Sequence, residues 1–111
     1  MNITTRKSND ITVLDIGGPF KVGPAIELFH EQVRALQADT PTQLLVNLGG
    51  ISYMDSSGLG VLVRTYNKIT SAGGKCKFCA APKHVMNILK VVHLDSVLEL
   101  FDDETSALSS F

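Results

Sequence analysis

The stretch Gln43-Leu44-Leu45-Val46-Asn47-Leu48-Gly49-Gly50-Ile51-Ser52-Tyr53-Met54-Asp55-Ser56-Ser57-Gly58-Leu59-Gly60-Val61 decides how this chain reads. Its first six residues form a short apolar run, the pattern of a strand covered on both faces in a parallel sheet. Gly49-Gly50 is expected to close that strand. From Ser56 onward Leu59, Leu62, Val63, Tyr66 and Ile69 recur at spacings of three or four, which predicts a helix to Ala72, stopped by Gly73-Gly74.

Working outward, residues 3–16 alternate as two short strands around the turn Ser8-Asn9-Asp10, an opening hairpin. Gly17-Gly18-Pro19 is expected to break that pattern. From about Gly23, Ile26, Leu28, Phe29, Val33 and Leu36 mark a helix ending near Ala38. Asp39-Thr40-Pro41-Thr42 follows as a loop, since Pro41 pushes Thr40 out of helical geometry. Downstream, residues 75–80 alternate as a fourth strand, and Pro82 starts a helix carrying Val85, Ile88 and Leu89. Residues 97–101 read as a last short strand, with a final helix from Asp102. The order β-β-α-β-α-β-α-β-α predicts the α/β class: a mixed, mostly parallel sheet with an N-terminal β-hairpin and helices packed against it, in one domain spanning residues 1–111.

Composition removes several functional classes. With 44% apolar and 19% charged residues in 111, the chain is expected to fold around one core. A net charge of -1 lacks the Lys and Arg surplus that a nucleic-acid backbone binder needs to displace counterions. The first residues are polar where a signal peptide would be apolar, and no stretch reaches the ~18 apolar residues of a membrane span, so a cytoplasmic location is expected. Cys76 and Cys79 are too few for a disulfide framework; three residues apart on a strand they point to opposite faces, which reads as reduced core thiols and not as a redox or metal pair. His30, His84 and His93 have no ligand spacing, and no Gly-x-Ser-x-Gly elbow surrounds Ser56, so no metal, cofactor or catalytic site is expected.

The distinctive chemistry lies at the helix start. Asp55 and Ser56 are both good N-caps, with side-chain oxygens that accept amide protons of the first turn. A phosphate on Ser56 would bring about -1.5 to -2 charge to the positive end of the helix dipole. It would also sit beside Asp55, among apolar neighbours Ile51, Tyr53, Met54, Leu59 and Val61 suited to a partner, and would repel a partner docking there. Gly58 and Gly60 each cost a helix roughly 1 kcal/mol relative to Ala, which calls for a reason such as close approach of another backbone. A cap that simply packs tightly on the sheet needs the same residues.

The sequence Met54-Asp55-Ser56-Ser57-Gly58-Leu59-Gly60-Val61, with Gly73-Gly74 before the next strand, strongly resembles the STAS domain of the anti-sigma-factor antagonists of the SpoIIAA and RsbV type. The resemblance extends over nearly the whole chain. It implies that Ser56 is phosphorylated by an anti-sigma factor that is also a serine kinase, and that a PP2C-type phosphatase reverses this. It further implies that the unphosphorylated form binds the anti-sigma factor and frees the sigma factor, so the chain is a kinase substrate and not an enzyme. Met54, Asp55, Ser57, Gly58, Leu59, Gly60 and Lys21 are the expected partner-binding residues. A STAS scaffold binding a different regulator through the same face is the alternative. Two positions depart from the family pattern: Gly18-Pro19-Phe20-Lys21 stands where an acidic loop is common, and Asn47-Leu48 where Asp-Leu is usual. Lys21 is expected near a phosphate on Ser56, and Asn47 is expected to remove a negative charge near the same loop.

Overall fold

The computed structural model describes residues 2–36 and 42–111. Strands β1 (Asn2–Ser8) and β2 (Ile11–Phe20) form the expected antiparallel hairpin. Its turn carries Asn9 at φ 55, a left-handed conformation that Asn tolerates better than most residues. Helix α1 (Pro24–Leu36) follows, then strand β3 (Gln43–Met54) and helix α2 (Ser56–Ser71). Strand β4 (Lys75–Cys79), helix α3 (Lys83–Val91), a 3₁₀ turn (Leu94–Ser96), strand β5 (Leu100–Phe101) and helix α4 (Glu104–Ser109) complete the order. The expected helix end near Ala38 and the loop at residues 39–41 lie outside the described residues.

The five strands lie side by side in chain order, with β3 central. All neighbours are parallel except the opening pair, so the mixed, mostly parallel α/β sheet is as expected. On one face Leu14, Leu44, Val46 and Phe78 pack against Phe29 and Val33 of α1, Val61, Leu62 and Ile69 of α2, and Val85 and Leu89 of α3. The other face gathers Val13, Leu45 and Cys79 under Ala107 of α4. Cys76 and Cys79 thus belong to cores on opposite sides, as strand geometry requires. Lys77, on the α4 side, is buried with its ammonium on the Ser110 carbonyl at 2.6 Å and 5.0 Å from the Phe111 ring centroid.

Several boundaries differ from the expected ones. Gly17-Gly18-Pro19 does not end β2, and Gly49-Gly50 does not close β3; the two strands stay paired in parallel until Phe20 meets Met54. Twice along this pair β3 carries one residue more than β2, between Asn47 and Gly50 and between Ile51 and Tyr53. Each such bulge re-aims the side chains, so that Leu48, Ile51 and Met54 all turn inward at intervals of three instead of two. Gly50 is needed where the strands converge, because a Cβ there would lie 2.7 Å from the Ile16 carbonyl oxygen. Pro19 lies beyond the β1 ladder, which among the described residues stops at the Asn2–Gly17 pair, so its missing amide proton costs that ladder no rung. Strand β5 is only two residues long: the Val97 and Leu98 amides donate to the Leu94 carbonyl and are spent on a turn instead of a ladder. Pro82 caps α3 in extended geometry and does not begin it.

Candidate functional site

The site is the end of the sheet where β2 and β3 terminate together and α2 begins. Asp55, extended at φ -102 and ψ -176, is the N-cap of α2. Its Oδ1 accepts the Gly58 amide at 2.9 Å and its Oδ2 the Val22 amide at 3.2 Å. These bonds favour the charged carboxylate: the Gly58 amide chiefly, and the Val22 and Ser57 amides after it, hold Asp55 below the usual carboxylate range against the opposing effect of burial. One side chain therefore caps the helix and fastens the β2–α1 connection to it.

Ser56 is the first residue of α2 and is exposed, whereas Ser57 beside it is half-buried. Of the two hydroxyls, Ser56 is the more open to an incoming phosphoryl group. Met54 is only 3% exposed and belongs to the main core, as do Ile51 and Val61, so these three anchor the loop from inside and present no side chain to a partner. The apolar surface around Ser56 comes instead from Tyr53, 54% exposed, the half-buried Leu59, and Val22, 71% exposed. Val22 escaped the sequence reading because it stands alone between Lys21 and Gly23, outside any periodic pattern.

The two helix glycines have different causes. A Cβ on Gly58 would meet the Phe20 carbonyl oxygen at 2.4 Å and the Phe20 ring at 2.9 Å, so this glycine exists because the end of β2 presses on the first turn of α2. Phe20 is in turn held by Phe29 of α1, edge to face at 5.4 Å between centroids. Gly60 meets no backbone; the nearest group to its absent Cβ is the Arg64 guanidinium, with Nη1 at 3.3 Å.

The two departures fall in different places. Lys21 is exposed on the β2–α1 connection, next to the Val22 amide that Asp55 holds, at the same end of the sheet as Ser56. Asn47 is not near the serine loop. It lies on the α4 side, where its Oδ1 accepts the Gly49 amide at 2.8 Å and its Nδ2 donates to Glu104 at 3.3 Å. Arg6 joins both Glu104 and Asp15 there, at 2.6 Å from Asp15 Oδ2. Because the bulge comes after Asn47, that residue keeps the regular alternation of Leu45 and faces away from α2. Among the described residues no helix is long and apolar enough to cross a membrane.

Comparison with known proteins agrees with this geometry. Residues 2–107 match the STAS domain. The anti-sigma F factor antagonist of Paenibacillus polymyxa is 31% identical over 75 residues, covering 68% of this chain and 64% of that protein. The anti-sigma-F factor antagonist RsfB of Mycobacterium tuberculosis is 31% identical over 106 residues, covering 88% and 84%. The anti-sigma-B factor antagonist of Bacillus subtilis is 30% identical over 103 residues, covering 90% and 92%. In fold, the Bacillus cell fate determinant SpoIIAA in its phosphorylated form superposes with a TM-score of 0.75 at 16% identity over 98% of each chain. Agreement along almost the entire length, in sequence and in the course of the backbone, places the chain in the STAS domain family.

Proposed function

We propose that this chain is an anti-sigma-factor antagonist, a regulatory module whose unphosphorylated form binds an anti-sigma-factor serine kinase and thereby frees a sigma factor in the cytoplasm. The docking face is the end of the sheet around Ser56, with Val22, Tyr53 and Leu59 as its apolar part, Lys21 at its edge, and Asp55, Ser57, Gly58 and Gly60 shaping the helix start. Transfer of the ATP γ-phosphoryl group to the Ser56 oxygen, with loss of the hydroxyl proton and release of ADP, puts a dianion in the middle of that face and blocks docking. A PP2C-type phosphatase restores the hydroxyl by hydrolysis.

The observation that carries this reading is the exposed Ser56 hydroxyl at the first position of an Asp55-capped helix, with exposed Val22 and Tyr53 beside it. The curated relatives, which are antagonists of anti-sigma F and anti-sigma B factors, support it. The test is incubation of the protein with ATP and its cognate kinase, followed by mass-spectrometric mapping and a binding assay. Phosphate is expected on Ser56, with Ser56→Ala unmodified and Ser56→Asp no longer bound. Binding that ignores Ser56→Asp would instead favour a STAS scaffold that takes another regulator on this face.

A further inference from the structure

Arg64 lies two turns beyond Ser56 on α2, and Gly60 lies between them. Positions four apart follow one another along a single helix face, about 5–6 Å between Cβ atoms, so Ser56, Gly60 and Arg64 form one stripe. Side chains of a helix lean toward its N-terminus, and the Arg64 guanidinium does so here: Nη1 is 3.3 Å, and Cζ and Nη2 3.9 Å, from the place a Gly60 Cβ would occupy. The missing side chain is therefore the seat of the guanidinium, one turn short of the Ser56 hydroxyl.

Among the described residues the guanidinium has no ion-pair partner; the ion pairs there are made by Arg6 and Lys77. Asp55, the nearest carboxylate along the helix, is engaged with the Gly58 and Val22 amides. Arg64 also lines a cleft of about 380 Å³ between α1 and α2, together with Arg34, Lys68 and His30, with Glu27 the single carboxylate of its lining. The cationic lining makes this stretch of α2 attractive to an anion, and Glu27 is the one carboxylate of the lining to compete for Arg64.

We propose that Arg64 pairs with the phosphate on Ser56 and draws it along α2 over Gly60. A planar guanidinium meets phosphate oxygens two at a time, and the remaining turn is within the combined reach of the arginine stem and the phosphoserine. The phosphorylated state then carries its dianion folded down on the helix, against the guanidinium already seated over Gly60. This rests on Ser56 being the phosphorylated residue, while the pairing itself depends only on geometry.

The test separates the two. Phosphoserine is installed at position 56 during translation, without any kinase, and the second ionisation of the phosphate is followed by phosphorus NMR in the native sequence, Arg64→Ala and Arg64→Lys. Pairing stabilises the dianion, so the native protein is expected to titrate about 0.2–0.7 of a pH unit lower than Arg64→Ala, with Arg64→Lys recovering part of the shift. The helix terminus and Asp55 act equally in all three. Equal titration in the native and Arg64→Ala proteins, both folded by circular dichroism, would overturn the pairing. Failure of the kinase to modify Ser56 would overturn the proposed function and leave this shift in place.

Discussion

The Val22 backbone amide donates to Asp55 across 33 residues of sequence, at 3.2 Å, so the carboxylate that caps α2 also holds the end of the β2–α1 connection. Replacing Asp55 with Ala removes both bonds, and a lower urea midpoint with unchanged denaturant slope is expected; Asp55→Asn, which keeps an acceptor oxygen, should lose less. The carboxylate is held below its usual range, chiefly by the Gly58 amide. Its contribution is therefore complete above the ordinary Asp pKa and fades as pH falls through the lowered folded value. The gap between native and Asp55→Ala midpoints should stay constant from pH 7 to about pH 5 and close on further acidification.

Gly58 and Gly60 are two residues apart and should respond oppositely to the same change. A methyl at position 58 meets the Phe20 carbonyl oxygen at 2.4 Å, a backbone atom that cannot step aside. Gly58→Ala is expected to cost about 1–3 kcal/mol of stability, beyond what Ala returns in helix propensity. At position 60 the nearest group is the mobile end of Arg64, so Gly60→Ala is expected to stabilise by up to about 1 kcal/mol. Urea unfolding of both variants decides; destabilisation by Gly60→Ala would mean that Arg64 is fixed more firmly than a surface arginine.

Glu104 ties α4 to the sheet through Arg6 and Asn47. The Arg6 guanidinium first, and the Asn47 amide after it, lower its pKa. Since Arg6 is 45% exposed, solvent screening limits the pair, and Glu104→Gln is expected to cost only about 0.5–1 kcal/mol. That cost should be full above the ordinary Glu pKa and vanish as pH falls through the lowered one. A double-mutant cycle with Arg6→Gln gives the pair its own value.

Both thiols should be silent in the native state. Burial pushes Cys76 up to about 12, with Glu99 adding to it, and burial pushes Cys79 up to about 11 with Glu104 and Asp15 contributing. Almost no thiolate is present at neutral pH, and a disulfide-forming thiol reagent should modify two cysteines at the rate of unfolding, rising steeply with denaturant. Rapid modification of either in the absence of denaturant would contradict the packing.

Every strand and α-helix among the described residues was legible in the sequence, as was the serine loop, because hydrophobic period and cap chemistry are local properties; the 3₁₀ turn Leu94–Ser96 was not. What else was missed has a common physical origin in pairing between distant segments. Gly17-Gly18-Pro19 and Gly49-Gly50 look like stops in isolation and are strand once they lie against each other. The bulges then change the inward period of β3 from two to three, which hid Ile51 and Met54 among the apparent surface residues. Asn47 was drawn toward the loop by closeness in sequence, though the strand's alternation turns it to the other face. Gly60 and Arg64 were legible in principle, since their spacing from Ser56 is a multiple of four.

The union of β2 and β3 as far as Phe20 and Met54 has a bearing on how any signal at this site is transmitted. Ser56 is preceded by a strand paired to its last residue, followed by a capped helix, and flanked by a loop latched to that cap. A group added to its oxygen arrives on scaffolding already braced from three directions. The expected message is a rewritten electric field on an unmoved surface, read by whatever comes to dock; nothing in this corner has to hinge.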